Sequence, residues 1–580
     1  MLFSSRLSQR CFRALLIGVF LLGSVVIYAD PVSSPWLSIS AEPVYAKNGM
    51  VVTEEALATR IGVDVLNKGG NALDAAVAVG FALAVTLPQA GNLGGGGFML
   101  IHHGHTNQTV VIDYRETAPS GASRDMFLDE QGEVDLKRVR FSHLAAGVPG
   151  TVAGLAMAQA RYGTLSLEQV LAPAIDLAQS GFVVSAELAA SLSAASSYLR
   201  RWPETARVFF KPDGSAYAAG ERLVQSDLAK SLKQIAHQGP KAFYEGTIAE
   251  KIISEMKDHG GLITKADLES YRAIAREPVV GTYRGYIIRS VPPPSSGGVH
   301  LIQLLNLLEG FPIGQLGVNS ADTIHLMAEA MKLAYADRSR YLGDPDFVKV
   351  PVSGLISKAY AAKSRARIDP GQARPSALIA PGEPLCCESE QTTHYSVMDA
   401  AGNVVSNTYT LNFGYGSGIV VRGTGILLNN EMDDFSAKPG AANAYGLVGG
   451  EANAVASGKR PLSSMTPTIV FKNDRPILAT GTPGGSRIIT TVLQVIMNVV
   501  DHDMDIAKAT VTPRIHHQWL PDELQVERGL SPETLGKLAK MGHDIEIRGA
   551  MGSTQSAVRQ RQGFFGASDP RTPGGLALGH

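Results

Sequence analysis

The sequence QTTHYSVMDAAGNVVSNTYTLN, residues 391–412, decides the fold because it contains two alternating runs separated by one turn. Residues 393–399 and 404–411 alternate polar and apolar side chains, as half-buried strands do. Between them, Ala400-Ala401-Gly402-Asn403 is rich in small and turn-forming residues. The stretch therefore predicts an antiparallel hairpin folded about position 401.

The register of this hairpin places two threonines opposite each other. Thr392 and Thr410 each lie nine residues from position 401, so the pairing brings them together. One face is then apolar, and the other face is polar at the end that carries Thr392. The apolar face consists of Tyr395, Val397, Val405, Tyr409 and Leu411, and the polar face of Thr392, His394, Ser396, Ser406, Thr408 and Thr410. We expect the apolar face to pack on a core, and His394 to contribute to hairpin packing.

The chemistry open to Thr392 depends on a base. A threonine hydroxyl becomes a useful nucleophile only when a group within hydrogen-bond reach takes its proton. An α-amino group, with a reference pKa of about 7.7 to 8.0, can do this near neutral pH. Cleavage between Gln391 and Thr392 would give Thr392 such an amine, and Thr410 could hold its hydroxyl in line. The alternative is an ordinary pair of solvent-facing threonines, which the hairpin alone does not exclude.

Further polar stretches supply candidate partners for this threonine. Residues 427–436, LLNNEMDDFS, place amides and acids behind an apolar strand. Gly484 and Gly485 stand at a strand-to-helix junction, where free backbone N–H groups can face an anion. Arg115 ends another predicted strand and can bind a carboxylate through two parallel hydrogen bonds. A surface ion pair between Arg115 and Glu116 is the alternative.

Six motifs make the chain resemble the γ-glutamyltransferase family in its bacterial periplasmic form. They are DYRETAP at 113–119, QTTHYS at 391–396, TLN at 410–412, LLNNEMDDFSAKPG at 427–440, KRPLSSMTPTIV at 459–470 and GTPGGSRIITTV at 481–492. The resemblance implies an α+β fold of four layers, αββα, as in the N-terminal-nucleophile hydrolases. It also implies that the precursor cleaves itself between Gln391 and Thr392, and that both products stay together as a heterodimer.

The resemblance also implies a role for each site residue. Thr392 is the nucleophile, Thr410 is its partner, and Gly484 and Gly485 form the oxyanion hole. The residues implied in substrate binding are Arg115, Ser463 and Ser464 for the α-carboxylate, Asn412, Glu431 and Asp434 for the α-amino group, and Tyr445 in a lid. The implied substrates are glutathione and other γ-glutamyl compounds, with water or the amine of an amino acid or dipeptide as acceptor. No cofactor or metal is expected.

The predicted organisation has three parts. Residues 1–29 read as a signal peptide, because three arginines precede an apolar run that is short for a membrane span. An uncleaved membrane anchor is the alternative, but we expect export to the periplasm and no stable span after signal cleavage. Residues 30–391 form the large subunit, with a mobile linker at 371–391 that carries prolines and no period. Residues 392–580 form the small catalytic subunit.

Composition narrows the function classes. The net charge is −1 over 580 residues, so binding of nucleic acid through a charged patch is not expected.

The glycine loop at 91–97 lacks the lysine of a phosphate loop and predicts close backbone packing. Neighbouring histidines at 102–105 and 516–517 could suggest a metal, but adjacent strand residues point to opposite faces, so we expect packing roles.

Three further elements follow from helix patterns. Residues 74–87, DAAVAVGFALAVTL, are apolar on nearly every side and predict a buried core helix. Ser320 begins a long amphipathic helix that runs to about residue 342. Thr53 is predicted to cap a helix that starts among residues 51–55.

Two other functions compete with this interpretation. A cephalosporin or glutaryl acylase of the same fold would take a substrate without an α-amino group, which would leave Asp434 unpaired. A non-catalytic periplasmic protein that binds glutathione or peptides would remain one uncut chain. The acid at position 434 favours a glutamyl substrate over the first alternative.

Overall fold

The computed structural model describes residues 41–384, 394–443 and 445–580. The predicted signal peptide, Gln391 and Thr392 lie outside the described residues. Two antiparallel sheets of seven strands each form the centre of the molecule. No helix in the described part of the chain is long and apolar enough to cross a membrane.

The strands and helices have the following bounds. The strands are β1 (Val44–Ala46), β2 (Gly49–Thr53), β3 (Gly96–His103), β4 (Gln108–Asp113), β5 (Phe182–Val183), β6 (Arg222–Leu223), β7 (Ile274–Arg276), β8 (Val279–Tyr283), β9 (Tyr286–Ser290), β10 (Tyr395–Asp399), β11 (Val404–Thr410), β12 (Val420–Val421), β13 (Ile426–Leu427), β14 (Thr468–Lys472), β15 (Arg475–Thr480), β16 (Ile515–His516), β17 (Leu524–Glu527), β18 (Ile545–Arg548), β19 (Gln555–Gln560), β20 (Gly563–Ser568) and β21 (Leu576–Gly579). The helices are α1 (Ala56–Asn67), α2 (Ala72–Thr86), α3 (Leu136–Phe141), α4 (Thr151–Tyr162), α5 (Leu167–Ser180), α6 (Ala186–Leu199), α7 (Pro203–Phe209), α8 (Ser226–Gln238), α9 (Lys241–Tyr244), α10 (Thr247–His259), α11 (Lys265–Ser270), α12 (Gly297–Leu308), α13 (Ile313–Leu316), α14 (Ala321–Tyr341), α15 (Val352–Leu355), α16 (Lys358–Arg365), α17 (Ile488–Val500), α18 (Ile506–Val511) and α19 (Pro532–Lys540).

The predicted hairpin lies at the centre of one sheet, which we call the hairpin sheet. Its strand order is β21-β2-β10-β11-β3-β4-β7, and the facing sheet has the order β1-β20-β19-β15-β14-β9-β8. Tyr395 pairs with Asn407 and Met398 pairs with Val404, so the register about position 401 is confirmed. Continued by three residues, this register sets Thr392 opposite Thr410, which stays a prediction because Thr392 is not described.

Three apolar layers hold the sheets and helices together. The hairpin sheet packs its apolar face, including Tyr395 and Val405, against α1, α2, α4, α5 and α8. Residues of both sheets, such as Phe98 and Ile469, fill the layer between them. Helices α12, α14 and α17 cover the outer face of the facing sheet. The four-layer αββα arrangement of an α+β fold is therefore confirmed.

The polar face of the hairpin is buried between the sheets. His394, Ser396, Ser406 and Thr408 are all at most 2% exposed, so a solvent-facing arrangement is wrong for these four residues. His394 shares hydrogen bonds with Thr408 Oγ1 at 3.1 Å and Ser396 Oγ at 2.7 Å. Burial lowers the pKa of His394 to about 3, which keeps the ring neutral. The expected packing role of His394 is confirmed.

The predicted helices agree with the structure except at one boundary. Helix α2 is buried along its whole length, and the Ser320 hydroxyl caps α14 by accepting the N–H of Thr323. Thr53 does not cap a helix, because it ends strand β2. The carboxylate of Glu55 caps α1 instead, by accepting two backbone N–H groups at 2.9 Å. An acid at this position satisfies the first free N–H groups of the helix.

The described part of the predicted linker, residues 371–384, is held by hydrogen bonds from several elements. Ser376 donates its N–H and its hydroxyl to Asp522, both at 2.7 Å. Trp519 Nε1 donates to the carbonyl of Ser376 at 3.0 Å, and Gly382 donates its N–H to Asp337 at 2.7 Å. A segment without helix or strand can still satisfy its backbone through distant side chains. Residues 371–384 are thus bonded to distant side chains, and the mobility of the 371–391 linker stays a prediction.

Candidate active site

A cavity of about 350 Å³ opens at the end of the hairpin. Thr410 reaches it from the end of β11, and Glu431 and Asp434 reach it from a short 3-10 helix. The predicted residues that line it are Thr410, Asn412, Glu431, Asp434, Tyr445, Ser463, Ser464, Gly484 and Gly485. Nine predicted site residues from distant parts of the sequence between residues 410 and 485 thus meet in one place.

Arg115 and three acids form what we call the acidic wall of the cavity: Arg115, Glu116, Glu431 and Asp434. Arg115 Nη2 donates to Asp434 Oδ2 at 2.6 Å, and Arg115 Nη1 donates to Glu431 Oε1. Glu116 lies further from the guanidinium, at 3.6 Å. Arg115 has no exposed surface, so the alternative of a surface pair with Glu116 is wrong. Arg115 lies behind Glu431 and Asp434 and is not among the lining residues.

The acidic wall contains three carboxyl groups and only one guanidinium group. Burial raises the pKa of Glu116 to about 8 and raises the pKa of Glu431 well above its usual range. Among the described residues, neither Glu116 oxygen has a hydrogen-bond partner, nor has Glu431 Oε2. One guanidinium cannot satisfy three ionised carboxylates, so burial favours the protonated forms of Glu116 and Glu431 unless a further cation is present. An ammonium group in the cavity would supply one.

A second group, which we call the serine wall, consists of Arg338, Ser463 and Ser464, which line the cavity, and Ser296, which bonds to them. Arg338 Nε donates to Ser296 Oγ at 2.9 Å, and its Nη2 donates to Ser464 Oγ at 3.4 Å. Ser296 Oγ in turn donates to the carbonyl of Ser463 at 2.9 Å. Arg338, from the last turn of α14, therefore bonds Ser464 directly and the backbone of Ser463 through Ser296, and sequence reasoning missed it.

Gly484 and Gly485 have backbone conformations that suit glycine. Their φ angles are +137° and +57°, a region that other residues rarely adopt. Neither N–H makes a backbone hydrogen bond within the described residues. A side chain at Gly485 is excluded as well, because its Cβ would lie 2.4 Å from Tyr445 Cδ1. The two N–H groups are thus available to an anion beside α17.

Thr410 is oriented by its own turn. The N–H of Asn412 donates to Thr410 Oγ1 at 2.8 Å, so this hydroxyl oxygen is already an acceptor and its proton can go to another group. Close approach of the neighbouring strand depends on Gly95, because a Cβ there would lie 1.9 Å from the carbonyl oxygen of Thr410. The glycine loop therefore serves backbone packing, as predicted, and it shapes the site.

Tyr445 covers the cavity. Its hydroxyl donates to Asn412 at 3.0 Å, with the carbonyl O and Oδ1 of that residue equally near. Its ring stacks on Phe413 with a centroid distance of 5.2 Å. Tyr445 is thus fixed beside Asn412 and Phe413, and its role as a lid stays a prediction.

The predicted histidine pairs do not build a metal centre in this cavity. His102 bonds Thr109 at 3.0 Å, and His516 bonds Thr490 at 2.9 Å, so both have packing partners. Two clusters with metal-binding residue types occur elsewhere: His143, Glu255 and His259, and His325, Glu329 and His543. In the second cluster, Lys332 Nζ lies 2.9 Å from Glu329 and already supplies a cation.

The comparisons with known proteins agree with the site. Residues 58–579 match the family model described as gamma-glutamyltranspeptidase. The chain is 54% identical to the glutathione hydrolase proenzyme of Escherichia coli strain K12, over 98% of this chain and 99% of that protein. Among solved structures, cephalosporin acylase from Bacillus halodurans superposes with a TM-score of 0.84 at 30% identity, covering 96% of this chain and 99% of that chain.

A second solved structure carries the family's own name. Helicobacter pylori gamma-glutamyltranspeptidase is 50% identical with a TM-score of 0.58, and the match covers 58% of this chain and 97% of that chain. The sequence match, the four layers and the assembled cavity all point the same way. The chain therefore belongs to the gamma-glutamyltranspeptidase family of enzymes and has the N-terminal-nucleophile hydrolase fold.

Proposed function

We propose that the protein is a self-cleaving γ-glutamyltransferase and glutathione hydrolase. The observation that carries this proposal is that one cavity is lined by Glu431 and Asp434 of the acidic wall and by Arg338, Ser463 and Ser464 of the serine wall. A γ-glutamyl group presents one ammonium and one carboxylate on the same carbon. A site that recognises it needs fixed groups of both signs. The glutathione hydrolase proenzyme from E. coli supports the choice of substrate.

The reaction is acyl transfer. After cleavage, the amine of Thr392 takes the hydroxyl proton, and Oγ attacks the γ-carbonyl carbon of the donor. The N–H groups of Gly484 and Gly485 bind the oxyanion of the tetrahedral intermediate. The C–N bond then breaks, the proton passes to the leaving amine, and a glutamyl ester of Thr392 remains. Water releases glutamate from this ester, or the amine of an amino acid or dipeptide takes the glutamyl group.

Self-cleavage uses the same hydroxyl. Thr392 Oγ attacks the carbonyl carbon of Gln391, and the peptide C–N bond breaks to leave the Thr392 amine free and an ester on Oγ. Water then hydrolyses this ester, which releases the Gln391 carboxylate and regenerates the Thr392 hydroxyl. The products are the large part, residues 30–391, and the small part, residues 392–580. Strands from before and after the cut are interleaved in the hairpin sheet, where β10 and β11 lie between β2 and β3. This interleaving supports a heterodimer that stays assembled.

Export is the remaining element of the proposal. Residues 1–29 serve as a signal peptide, and the mature protein acts in the periplasm without a membrane anchor. The glutathione and peptides available there are then its donors and acceptors. Intact-mass measurement of the protein purified from the periplasm reports signal removal and the cut before Thr392 together.

Two measurements test the enzyme proposal against its rivals. Denaturing electrophoresis is expected to show two chains for the purified protein, whereas a non-catalytic binding protein would run as one. Turnover of γ-glutamyl anilide is expected to exceed turnover of glutaryl anilide, which lacks the α-amino group. A preference for the glutaryl substrate would identify an acylase, as the resemblance to the Bacillus halodurans enzyme allows.

A further inference from the structure

Two histidines and a glutamate meet outside the cavity, and we call them the histidine cluster: His143, Glu255 and His259. His143 begins a short 3-10 helix, and the other two residues lie one turn apart on α10. His143 Nε2 lies 3.1 Å from Glu255 Oε1, and His259 Nε2 lies 3.5 Å from the same oxygen. One ligand atom of each residue lies within 4.8 Å of the other two. The fold thus gathers three possible metal-ligand atoms in one small volume.

The carboxylate of this cluster has no permanently charged partner. The Glu255 side chain is 12% exposed, and its ion-pair partners among the described residues are the two histidines alone. A histidine carries charge only when it is protonated, and its neutral form is a common metal ligand. The other carboxylate oxygen, Oε2, accepts the backbone N–H of Arg422 at 3.4 Å. A largely buried carboxylate without a fixed cation favours binding of one.

The second cluster of this kind in the described part of the chain is different. His325, Glu329 and His543 also lie together, but Lys332 Nζ is 2.9 Å from Glu329. Both ring nitrogens of His325 are engaged as well, one with His543 and one with the carbonyl of Asp369. That cluster therefore already contains its own cation, whereas the histidine cluster contains neither a lysine nor an arginine side chain.

The distances in the histidine cluster suit zinc. Zn²⁺ binds histidine nitrogen and carboxylate oxygen at about 2.0 to 2.2 Å in a tetrahedron, so two ligand atoms lie about 3.3 Å apart. The two separations from Glu255 Oε1 are 3.1 and 3.5 Å. The two imidazole rings stack at 4.7 Å, and His259 is 49% exposed. Its ring is therefore free to turn toward an ion, and water can reach the fourth position.

We propose that the histidine cluster is a zinc site, with His143, Glu255 and His259 as ligands and water as the fourth ligand. The site lies outside the proposed reaction and does not depend on it. A bound ion would join α10 to the segment that carries His143. Through the hydrogen bond from Arg422 to Glu255, it would also support the contact between chain before and chain after the proposed cut.

The segment that carries His143 also holds the start of the acidic wall. Gly147 donates its N–H to Asn429 Oδ1 at 2.9 Å, and its carbonyl accepts from Asn429 Nδ2 at 2.8 Å. On the other side of His143, the carbonyl of Arg140 accepts from Asn430 Nδ2 at 3.0 Å. An ion that binds only the folded protein stabilises it against unfolding. Zinc would thus stabilise a region next to the proposed active site without entering it.

The test uses Zn²⁺ alone as the probe. It is added to the full protein after treatment with a chelator, and the protein carries no polyhistidine tag because such a tag would bind zinc itself. Isothermal titration near neutral pH is expected to show a site with a micromolar or lower dissociation constant. His259→Gln and Glu255→Gln should each weaken binding about tenfold or more, since even loss of a residue that only supports a ligand costs about 10- to 100-fold.

A second measurement is thermal unfolding. Zinc at about 100 times its dissociation constant should raise the unfolding midpoint of wild type by about 2 °C and leave the midpoint of His259→Gln unchanged. Because His259 is half exposed, this variant should fold, and it decides the question if Glu255→Gln does not.

The control is His237→Gln. His237 is an exposed histidine 3.8 Å from Glu168, and it belongs to neither cluster. This variant removes one exposed histidine from an acid partner, as His259→Gln does, and it should bind zinc as wild type does.

The outcomes do not involve turnover, so they are separate from the test of the proposed function. Zinc binding that His259→Gln weakens and His237→Gln leaves unchanged supports the site. Absence of micromolar binding in wild type would overturn the proposal, and so would equal affinity in wild type and His259→Gln.

Discussion

The acidic wall and the serine wall each contain a buried arginine, but the two arginines have opposite surroundings. Arg115 has three acids within 3.6 Å and a network of ion pairs. Arg338 has two serine hydroxyls within 3.4 Å. Breaking a buried charge pair costs about 3 to 5 kcal/mol, so Arg115 is needed to hold its wall together. Arg338 has no such pair to lose.

The difference shows how one cavity can recognise both charges of a zwitterion. The acidic wall is already assembled and needs one more cation, whereas the serine wall offers a cation that needs an anion. A substrate with only one of the two groups would leave one wall unsatisfied. Selectivity should then depend on separate contributions from the two walls, and each can be removed by itself.

The largest expected effect comes from removing Thr392, the proposed nucleophile. Thr392→Ala should leave one uncut chain without turnover, because cleavage and acyl transfer both use the Thr392 hydroxyl. Denaturing electrophoresis and an anilide assay measure the two results. The neighbouring variant Thr393→Ala should still be cut. Two chains from Thr392→Ala would mean that another protease makes the cut.

The next effect concerns the acidic wall. Asp434→Asn should reduce the preference for γ-glutamyl over glutaryl anilide by about 10- to 100-fold, because a charged hydrogen bond to the ammonium group is lost. The ratio of kcat/KM for the two anilides measures it. Asp433→Asn is the matched control, since Asp433 pairs with Arg140 at 3.4 Å and does not line the cavity. An unchanged ratio in Asp434→Asn would contradict the role of this wall.

A third prediction uses the raised pKa of Glu116. Burial raises this pKa from 4.5 to about 8, so between these values the folded protein holds a proton that the unfolded chain has lost. The Glu116 contribution therefore lowers stability as pH rises, by at most about 1.4 kcal/mol per pH unit. Glu116→Gln lacks this contribution and should lose less stability than wild type between pH 6 and 8.

Thermal unfolding midpoints at the two pH values measure this difference. An exposed acid outside the wall, changed in Glu130→Gln, should leave the pH profile of wild type unaltered. If Glu116→Gln followed the wild-type profile as well, the acidic wall would not hold the proton that its burial implies.

The smallest expected effect concerns Tyr445, the proposed lid of the cavity. Tyr445→Phe keeps the stacking on Phe413 and loses the hydrogen bond to Asn412. A single hydrogen bond contributes about 0.5 to 1.5 kcal/mol, so kcat/KM should fall a few-fold. Tyr445→Ala, which also removes the ring, should cost distinctly more. Equal effects of the two variants would mean that the hydroxyl, and not the ring, covers the site.

Much of the fold could be predicted because local patterns agree with it. The hairpin register follows from alternation about position 401, and the buried helix α2 follows from a run without charge after Asp74. Ser320 marks the start of α14 by its capping hydroxyl. These signals are local in sequence, and the tertiary structure does not override them.

The remaining features depend on contacts between distant residues. In sequence, Arg338 is an ordinary arginine in the last turn of a helix. Its partner Ser464 lies 126 positions further along the chain, and only folding brings the two together. The pairing of Arg115 with Glu431 spans 316 positions. The alternating pattern of the hairpin indicates one core face, but it does not show that a second sheet buries the other. Likewise, nothing near Ser376 predicts its bonds to Asp522.

The most direct test of this account is the turnover of three anilides by the wild-type protein. γ-Glutamyl anilide carries both charged groups, glutaryl anilide lacks the ammonium, and 4-aminobutyryl anilide lacks the carboxylate. The account predicts the highest kcat/KM for the γ-glutamyl substrate and at least about a tenfold loss for each of the others. Equal or better turnover of either truncated anilide would contradict the claim that the two walls recognise the two charges of one substrate.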